Sequence, residues 1–246
     1  MALRSTQRTR GMTVVTGRAV TPASPDVRVL HEPRLKRPFD VALSALGLVL
    51  LSPVWALVTA AIWLEAGRPI FFRQDRYGRG GRKFRVLKFR SMVNDPRRVE
   101  VQARRDDPRI TRVGLWLRRT ALDELPQLWN IFTGDMSFVG PRAQPEKELV
   151  RSREGDTEIY VRDVPGFARR QQARPGLTGV AQIYAPREVP HAQKFRYDLV
   201  YIRGVEADSR RRAVGASPVD ELRILALDLR LIVLSVWITL RGRWEA

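Results

Sequence analysis

The sequence predicts a mostly α-helical monotopic membrane protein with one small β-hairpin, a re-entrant helix broken at Ser52-Pro53, and interfacial amphipathic helices. Three observations carry this. A long uncharged run stretches from Val41 to Leu64, a Ser-Pro step sits in its middle, and cations crowd both of its flanks.

The run VALSALGLVLLSPVWALVTAAIWL is long enough to cross a hydrocarbon core of about 30 Å as one helix. Pro53 opposes a straight crossing, because proline lacks a donor and clashes with the preceding turn. Each arm of about twelve residues reaches only about 18 Å, short of the far side. Arg28, Arg34, Lys36 and Arg37 precede the run, and Arg68, Arg73, Arg76, Arg79 and Arg82 follow it. Cationic flanks favour the cytoplasmic side. A helix that enters, bends and returns satisfies both flanks, so residues 34–68 are expected to form a re-entrant membrane helix. A proline-kinked spanning helix is the alternative. The run begins too late and lacks the cleavage pattern of a removable signal peptide.

Other elements follow in order. Residues 1–33 read as a flexible basic arm, rich in Thr, Arg, Pro and Ser without a sustained period. PIFFRQDRY and RKFRVLKFRSM flank Gly78-Arg79-Gly80-Gly81 and predict a hairpin. Those glycines match neither a P-loop nor a dinucleotide fingerprint. A compact helix is expected over 120–133, a Gly- and Pro-rich loop over 134–142, and a charged helix over 144–163. Arg174 to Gly179 reads as a second turn-dense loop, and 188–203 as an amphipathic helix. The stretch 207–221, with Arg210-Arg211-Arg212, is expected to be an exposed insertion loop. Residues 222–246 fit an amphipathic tail helix lying in the interface, with Trp237 and Trp244 at headgroup depth. A core-packing helix is the alternative there. The catalytic domain would then occupy 69–206.

Composition narrows the chemistry. No cysteine is present, which excludes disulfides and thiol catalysis, and two histidines (His31 and His191) make a histidine-rich metal site improbable. Neither histidine falls in a motif block. The net charge of +18 favours partners bearing phosphate: lipid headgroups, phosphorylated substrates or nucleic acid. No nucleic-acid partner is expected, since no helix-turn-helix, zinc or RNA-binding signature accompanies the charge.

The segment Arg118-Arg119-Thr120-Ala121-Leu122-Asp123-Glu124-Leu125-Pro126 carries the chemical argument. Thr120 and Asp123 have capping-box spacing, or Asp123 is itself the N-cap. Either way the two acids enter the first helical turn, where ionised carboxylates and phosphate are both favoured. They could supply a nucleophile and a hard-metal ligand, or serve only as a capping device. Asp106-Asp107, flanked by arginines, reads as a loop ion-pairing site rather than a metal pair.

The string LDELPQLWNIFTGDMSFVGPR, with KRPFD before the apolar run, KFRSM after it and RPGLTGVAQ downstream, closely resembles the bacterial sugar transferase family of monotopic polyprenyl-phosphate phosphoglycosyl transferases. The resemblance covers roughly residues 35–206 and the tail helix. It implies transfer of a sugar-1-phosphate from a UDP-sugar to a polyprenyl (undecaprenyl) phosphate, with release of UMP, as the first membrane step of polysaccharide or glycoconjugate synthesis. Asp123 would be the nucleophile, forming a covalent phosphosugar, and Glu124 would help hold Mg²⁺. Ser52 and Pro53 match the family's helix break. Candidate clamps for substrate phosphates are Lys88, Arg90, Arg119, Arg142 and Arg174, with Arg142 and Arg174 favoured by their Gly-Pro loops. Anionic membrane lipids are expected partners. The expected place is the bacterial inner membrane, with the catalytic domain on its cytoplasmic face. Ala143 departs from the family's usual proline. The larger members add a multi-span N-terminal domain, so a small form is expected.

Overall fold

A computed structural model describes residues 27, 29–93, 107–146, 148–151, 158–186, 189–213 and 218–241. Two helices open it: α1 (Lys36–Leu50) and α2 (Ser52–Ala66), bent by 59° at Leu51. The break is local chemistry. Pro53 has no N–H to offer the Val49 carbonyl one turn back, and the Ser52 hydroxyl donates to that carbonyl instead at 2.8 Å. Proline falls in the first turn of α2, where it is tolerated. Among the described residues no single helix is long and apolar enough to cross a membrane.

One side of this bent pair packs inward. Leu43 and Leu48 join the core with Leu128 and Ile131, while Val58 and Ile62 of α2 pack against Phe89 and Leu117. The other side is bare: Leu46, Val49, Leu50, Leu57, Trp63 and Leu64 are all exposed. Burying such a face would be worth about 25 cal/mol per Å².

The expected hairpin is present as β1 (Phe71–Tyr77) and β2 (Lys83–Phe89), paired in register from Phe71 opposite Phe89 to Tyr77 opposite Lys83. Asn130 fastens the next helical unit to its edge, accepting from Leu87 N–H and donating to the Arg85 carbonyl, both at 2.9 Å. Helix α3 (Arg112–Arg119) follows, capped by Thr111, and then α4 (Gln127–Thr133).

Both loops expected from glycine and proline content contain strands. β3 (Ser137–Val139) and β6 (Gly176–Thr178) pair in parallel. Their contact is so close that a Cβ on Gly176 would lie 2.1 Å from the Gly140 nitrogen. The helix expected over 144–163 is replaced by β4 (Leu149–Arg151) and β5 (Glu158–Tyr160), an antiparallel pair ending in a 3₁₀ turn. Val150 and Val161 are buried there with Phe167 and Phe195. Short helices α5 (Phe167–Arg170) and α6 (Val180–Tyr184) precede two long ones, α7 (His191–Ala213) and α8 (Pro218–Leu240). The predicted 207–221 insertion is therefore a correction: residues 207–213 complete α7 and 218–221 begin α8, with 214–217 outside the described residues. Asp208 is buried, so the end of α7 packs against the body.

The tail helix is amphipathic in three dimensions. Ile224, Asp228 and Leu231 are buried, whereas Leu222, Leu229, Val233, Val236 and Trp237 are exposed. Trp244 lies outside the described residues.

Two charges placed among the topology-setting flank are engaged by the fold instead. Lys36 is 3% exposed. Its ammonium sits 2.5 Å from Asp228 and donates to the Val139 carbonyl at 3.1 Å. Arg37 donates to the Ile131 and Phe132 carbonyls at the end of α4, and Asp40 accepts from Phe138 N–H at 3.1 Å. The KRPFD segment thus grips both flanks of the loop leading to Gly140-Pro141-Arg142. Arg34, Arg68, Arg73 and Arg82 remain exposed. The arm is also shorter than expected: Leu30 and Pro33 are buried, and Leu30 N–H donates to the Gln172 carbonyl. Residues 1–26 and 28 of the predicted arm lie outside the described residues.

Candidate active site

Alternation along the hairpin directs every second side chain to one face. Gln74 and Arg76 of β1 share that face with Lys88 of β2, because Phe72 opposes Lys88 and Arg76 opposes Phe84. Against the polar side chains of this face lies the 3₁₀ turn Leu122–Glu124 between α3 and α4. Ala121 enters the turn in the left-handed region, φ 55°, and Leu122 and Leu125 anchor it in the Phe89–Leu117 cluster. Apolar anchors on either side leave Asp123 and Glu124 held beside the hairpin. Neither predicted cap forms. Thr120 closes α3, its hydroxyl donating to the Trp116 carbonyl, and Asp123 precedes α4 by a turn.

Lys88 donates to Glu124 at 2.5 Å, with the two side chains 16% and 24% exposed. Burial pushes the Glu124 carboxyl up, but Lys88, Arg142 and Arg76 together outweigh it and hold the group at about 2. Asp123 goes the other way. Burial raises it, Lys88 lowers it, the neighbouring Glu124 charge raises it and Arg118 lowers it, leaving about 6. Two adjacent acids are thus driven apart, one fixed as an anion and one with a more basic oxygen.

The predicted clamps separate into two groups. Lys88 contacts the acid pair, and Arg142, exposed just after β3, bears electrostatically on Glu124. Arg90 does not serve there: it is 8% exposed and donates to the carbonyls of Ala66, Gly67 and Arg68, closing the end of α2. Arg174 is likewise committed elsewhere, paired with Glu32 and donating to the Gly134 carbonyl. Arg119 is exposed in the last turn of α3. Its neighbour Arg118 is the one beside Asp123, steadied by Ser91 and Met92.

Arg76 was not singled out by sequence reasoning, although hairpin alternation puts it on the same face as Lys88. It donates to Gln74 and, at 2.7 Å, to the Ala143 carbonyl. Burial lowers it to about 10, with Arg142 adding to the fall. His191 lies 3.7 Å from Glu148 and meets Phe195 edge-on; burial and then the Lys194, Arg170 and Arg142 charges lower it to about 4, so the ring is neutral near pH 7 and makes no ion pair. Asp107 pairs with Arg109 at 2.7 Å, as expected of a loop ion pair, and Asp106 lies outside the described residues.

No cluster of three or more metal-type side chains exists among the described residues. A cation such as Mg²⁺ needs only one or two carboxylates when phosphates and waters complete its shell. Glu124, held ionised, with Asp123 beside it, fits that donor set.

Comparison with known proteins places this geometry in context. The family profile described as bacterial sugar transferase matches residues 31–209. The chain is 43% identical over 175 residues to the UDP-glucose:undecaprenyl-phosphate glucose-1-phosphate transferase of Escherichia coli (strain K12), covering 69% of this chain and 36% of that protein. It is 38% identical over 195 residues to the exopolysaccharide production protein PSS of Rhizobium leguminosarum bv. phaseoli, covering 76% of this chain and 95% of that one. A UDP-galactose-lipid carrier transferase of Erwinia amylovora is 37% identical over 185 residues, with 69% of this chain and 36% of that protein covered. The chain thus spans about a third of the length of two of these relatives and nearly all of the third.

Proposed function

The chain belongs to the bacterial sugar transferase family, and from that premise we propose that it moves a sugar-1-phosphate from a UDP-sugar to a polyprenyl phosphate at a membrane surface. The observation that carries the reading is the Asp123–Glu124 pair, held between Lys88, Arg118, Arg76 and Arg142. Such an acid pair ringed by cations suits anionic phosphate substrates and charge gathering in a phosphoryl-transfer transition state.

In the first half-reaction an Asp123 carboxylate oxygen attacks the β-phosphorus of the donor. The new oxygen–phosphorus bond forms as the bond from that phosphorus to the bridging oxygen breaks, and UMP leaves with the electron pair. In the second, a phosphate oxygen of the polyprenyl phosphate attacks the same phosphorus. The aspartyl bond breaks, giving a polyprenyl diphosphate sugar and restoring the carboxylate. An Asp at about 6 is ionised at neutral pH yet more basic than an ordinary carboxylate, which suits a nucleophile. Arg142 and Lys88 bind and orient the donor's phosphates. Mg²⁺, held by Glu124 beside Asp123 together with donor phosphates, would neutralise charge on the departing UMP.

A membrane location is part of the same reading. The bare apolar faces of α1, α2 and α8 supply lipid contact, and exposed arginines such as Arg34 and Arg68 suit an anionic cytoplasmic-leaflet surface. The relatives' names carry different sugars, so the donor sugar is to be found by assay. Purified protein with Mg²⁺, polyprenyl phosphate and a panel of UDP-sugars should release UMP with at least one donor, and Asp123→Asn should abolish it. Folded protein inactive with every donor would overturn the reading. Release surviving in Asp123→Asn would remove the nucleophile assignment alone.

A further inference from the structure

Arg142 acts from an exposed position, so something must fix its backbone. Three consecutive carbonyls in its segment are held. The Arg142 carbonyl accepts from Arg170 at 2.8 Å, the Ala143 carbonyl from Arg76 at 2.7 Å, and the Gln144 carbonyl from Tyr77 N–H at 3.1 Å. Arg142 also bridges to Gly176 in parallel register.

Arg170 is itself anchored. It is 4% exposed, donates through Nε to Asp198 at 2.7 Å, and lays its guanidinium over the Phe195 ring at 3.9 Å. Asp198 is 1% exposed, and both Asp198 and Phe195 belong to α7. A planar fork that bonds a carboxylate and a carbonyl together while stacking on a ring is a task for Arg rather than Lys. A buried ion pair is weak evidence for stability, since well-packed apolar residues often serve as well. What this pair does beyond packing is hold the Arg142 carbonyl.

We propose that Arg170 and Arg76 are positioning residues: anchored by Asp198 on α7 and Gln74 on β1, their guanidiniums grip the 142 and 143 carbonyls and fix the backbone that carries Arg142. This rests on the proposed function only in taking Arg142 as the group that meets substrate phosphate. It makes α7, remote in sequence from the acid pair, part of the site's scaffold.

A double-mutant cycle tests it. Removing Arg170 alone would strand Asp198 in the core, so the variant is Arg170→Met with Asp198→Leu, an apolar replacement that keeps the volume filled. Combined with Arg142→Ala, four proteins are compared in UMP release. The expected result is at least a tenfold loss of kcat/KM from the Arg170–Asp198 replacement in the wild-type background and less than a twofold further loss once Arg142 is Ala. Equal losses in both backgrounds would mean a general structural role and overturn the proposal. Arg170→Lys, which keeps the charge but not the fork, should fall between.

Amide hydrogen exchange of 137–146 reads the grip without any turnover. The replacement should speed exchange there at least tenfold while leaving α1 and α2 unchanged. Unchanged exchange in 137–146 would overturn the proposal. Accelerated exchange in an enzyme inactive with every donor would overturn the proposed function and leave the grip standing.

Discussion

The Lys88 ammonium lies 2.5 Å from the Glu124 carboxylate, and that contact makes unequal partners of two neighbouring acids. Glu124 takes the cation and stays ionised; Asp123, half-buried beside a fixed negative charge, titrates near 6. If an ionised Asp123 starts the reaction, kcat/KM for the donor should fall about tenfold per pH unit below about 6 and level off above it. Lys88 lowers Asp123, so Lys88→Met should carry that limb to higher pH as well as slow the plateau. UMP release measured from about pH 5 to 9 checks both, and a profile flat across pH 6 would count against Asp123 as the titrating group.

The same shift sets a stability difference. A carboxyl whose folded value of about 6 exceeds its ordinary 3.8 holds its proton more tightly folded than unfolded. Its ionisation therefore subtracts stability, beginning as pH rises past about 4 and complete above about 6. Asp123→Asn removes that cost. Partial solvent screening keeps the gain on the order of 1 kcal/mol. Thermal unfolding in detergent should show the variant more stable at pH 7.5 and equal to the parent at pH 4. A variant less stable at neutral pH would contradict this.

What was legible in the sequence was local. Pro53 breaks a helix and Gly78–Gly81 turns a hairpin because each acts through its own backbone. The acid pair was visible through its motif. The β3–β6 pairing was not, since each strand has three residues and the Gly and Pro around them signal loops. Partner identity also stayed hidden. With 44 basic residues, nothing in the local sequence of Arg174 distinguishes it from Arg142. Only the fold brings Glu32 to Arg174, Ala66 to Arg90 and Asp228 to Lys36. Lys36 and Arg37 looked like topology signals because cations beside an apolar run usually are, but folding buries Lys36 and commits Arg37 to the end of α4.

The burial of Lys36 has a measurable consequence. Lys36→Met removes the cation that offsets Asp228 in the core at 1% exposure, so the carboxyl must remain an uncompensated charge or take up a proton, with Tyr201 hydrogen-bonded to it at 3.1 Å. Stranding one member of a buried pair costs about 3–5 kcal/mol. Adding Asp228→Leu should return most of that loss, since the stranded charge is gone. Denaturation of the two variants compares them directly. Equal destabilisation of single and double variants would show that the pair does more than neutralise itself.

Gly140 and Gly176 let two backbones touch. A Cβ on Gly140 would lie 2.2 Å from the Arg174 carbonyl oxygen, an approach that requires backbone movement. Gly140→Ala should cost about 1–3 kcal/mol and displace Arg142, which follows two residues later. Activity should fall more than stability does, with the larger loss read in KM for the donor. Unaltered KM in a destabilised variant would separate this contact from the site.

The bend at Leu51 gives the last prediction. Helices α1 and α2 are 15 residues each, about 22 Å apiece and about 45 Å if straightened, more than the roughly 30 Å of a hydrocarbon core. A re-entrant pair keeps Arg34 and Arg68 on one side; a straight one separates them. The chain has no cysteine, so single Arg34→Cys and Arg68→Cys variants can be labelled in membranes with an impermeant maleimide without background. Both should label from the cytoplasmic side. The Val49 carbonyl accepts from a backbone N–H at the end of α1 as well as from the Ser52 hydroxyl, so Ser52→Ala alone leaves it partnered and favours no straighter helix. Restoring a donor at 53 does: Ser52→Ala with Pro53→Ala allows an uninterrupted ladder and should move part of the Arg68→Cys population to labelling from the opposite side. Labelling of the two sites from opposite faces in the parent would instead establish a spanning helix kinked at Pro53.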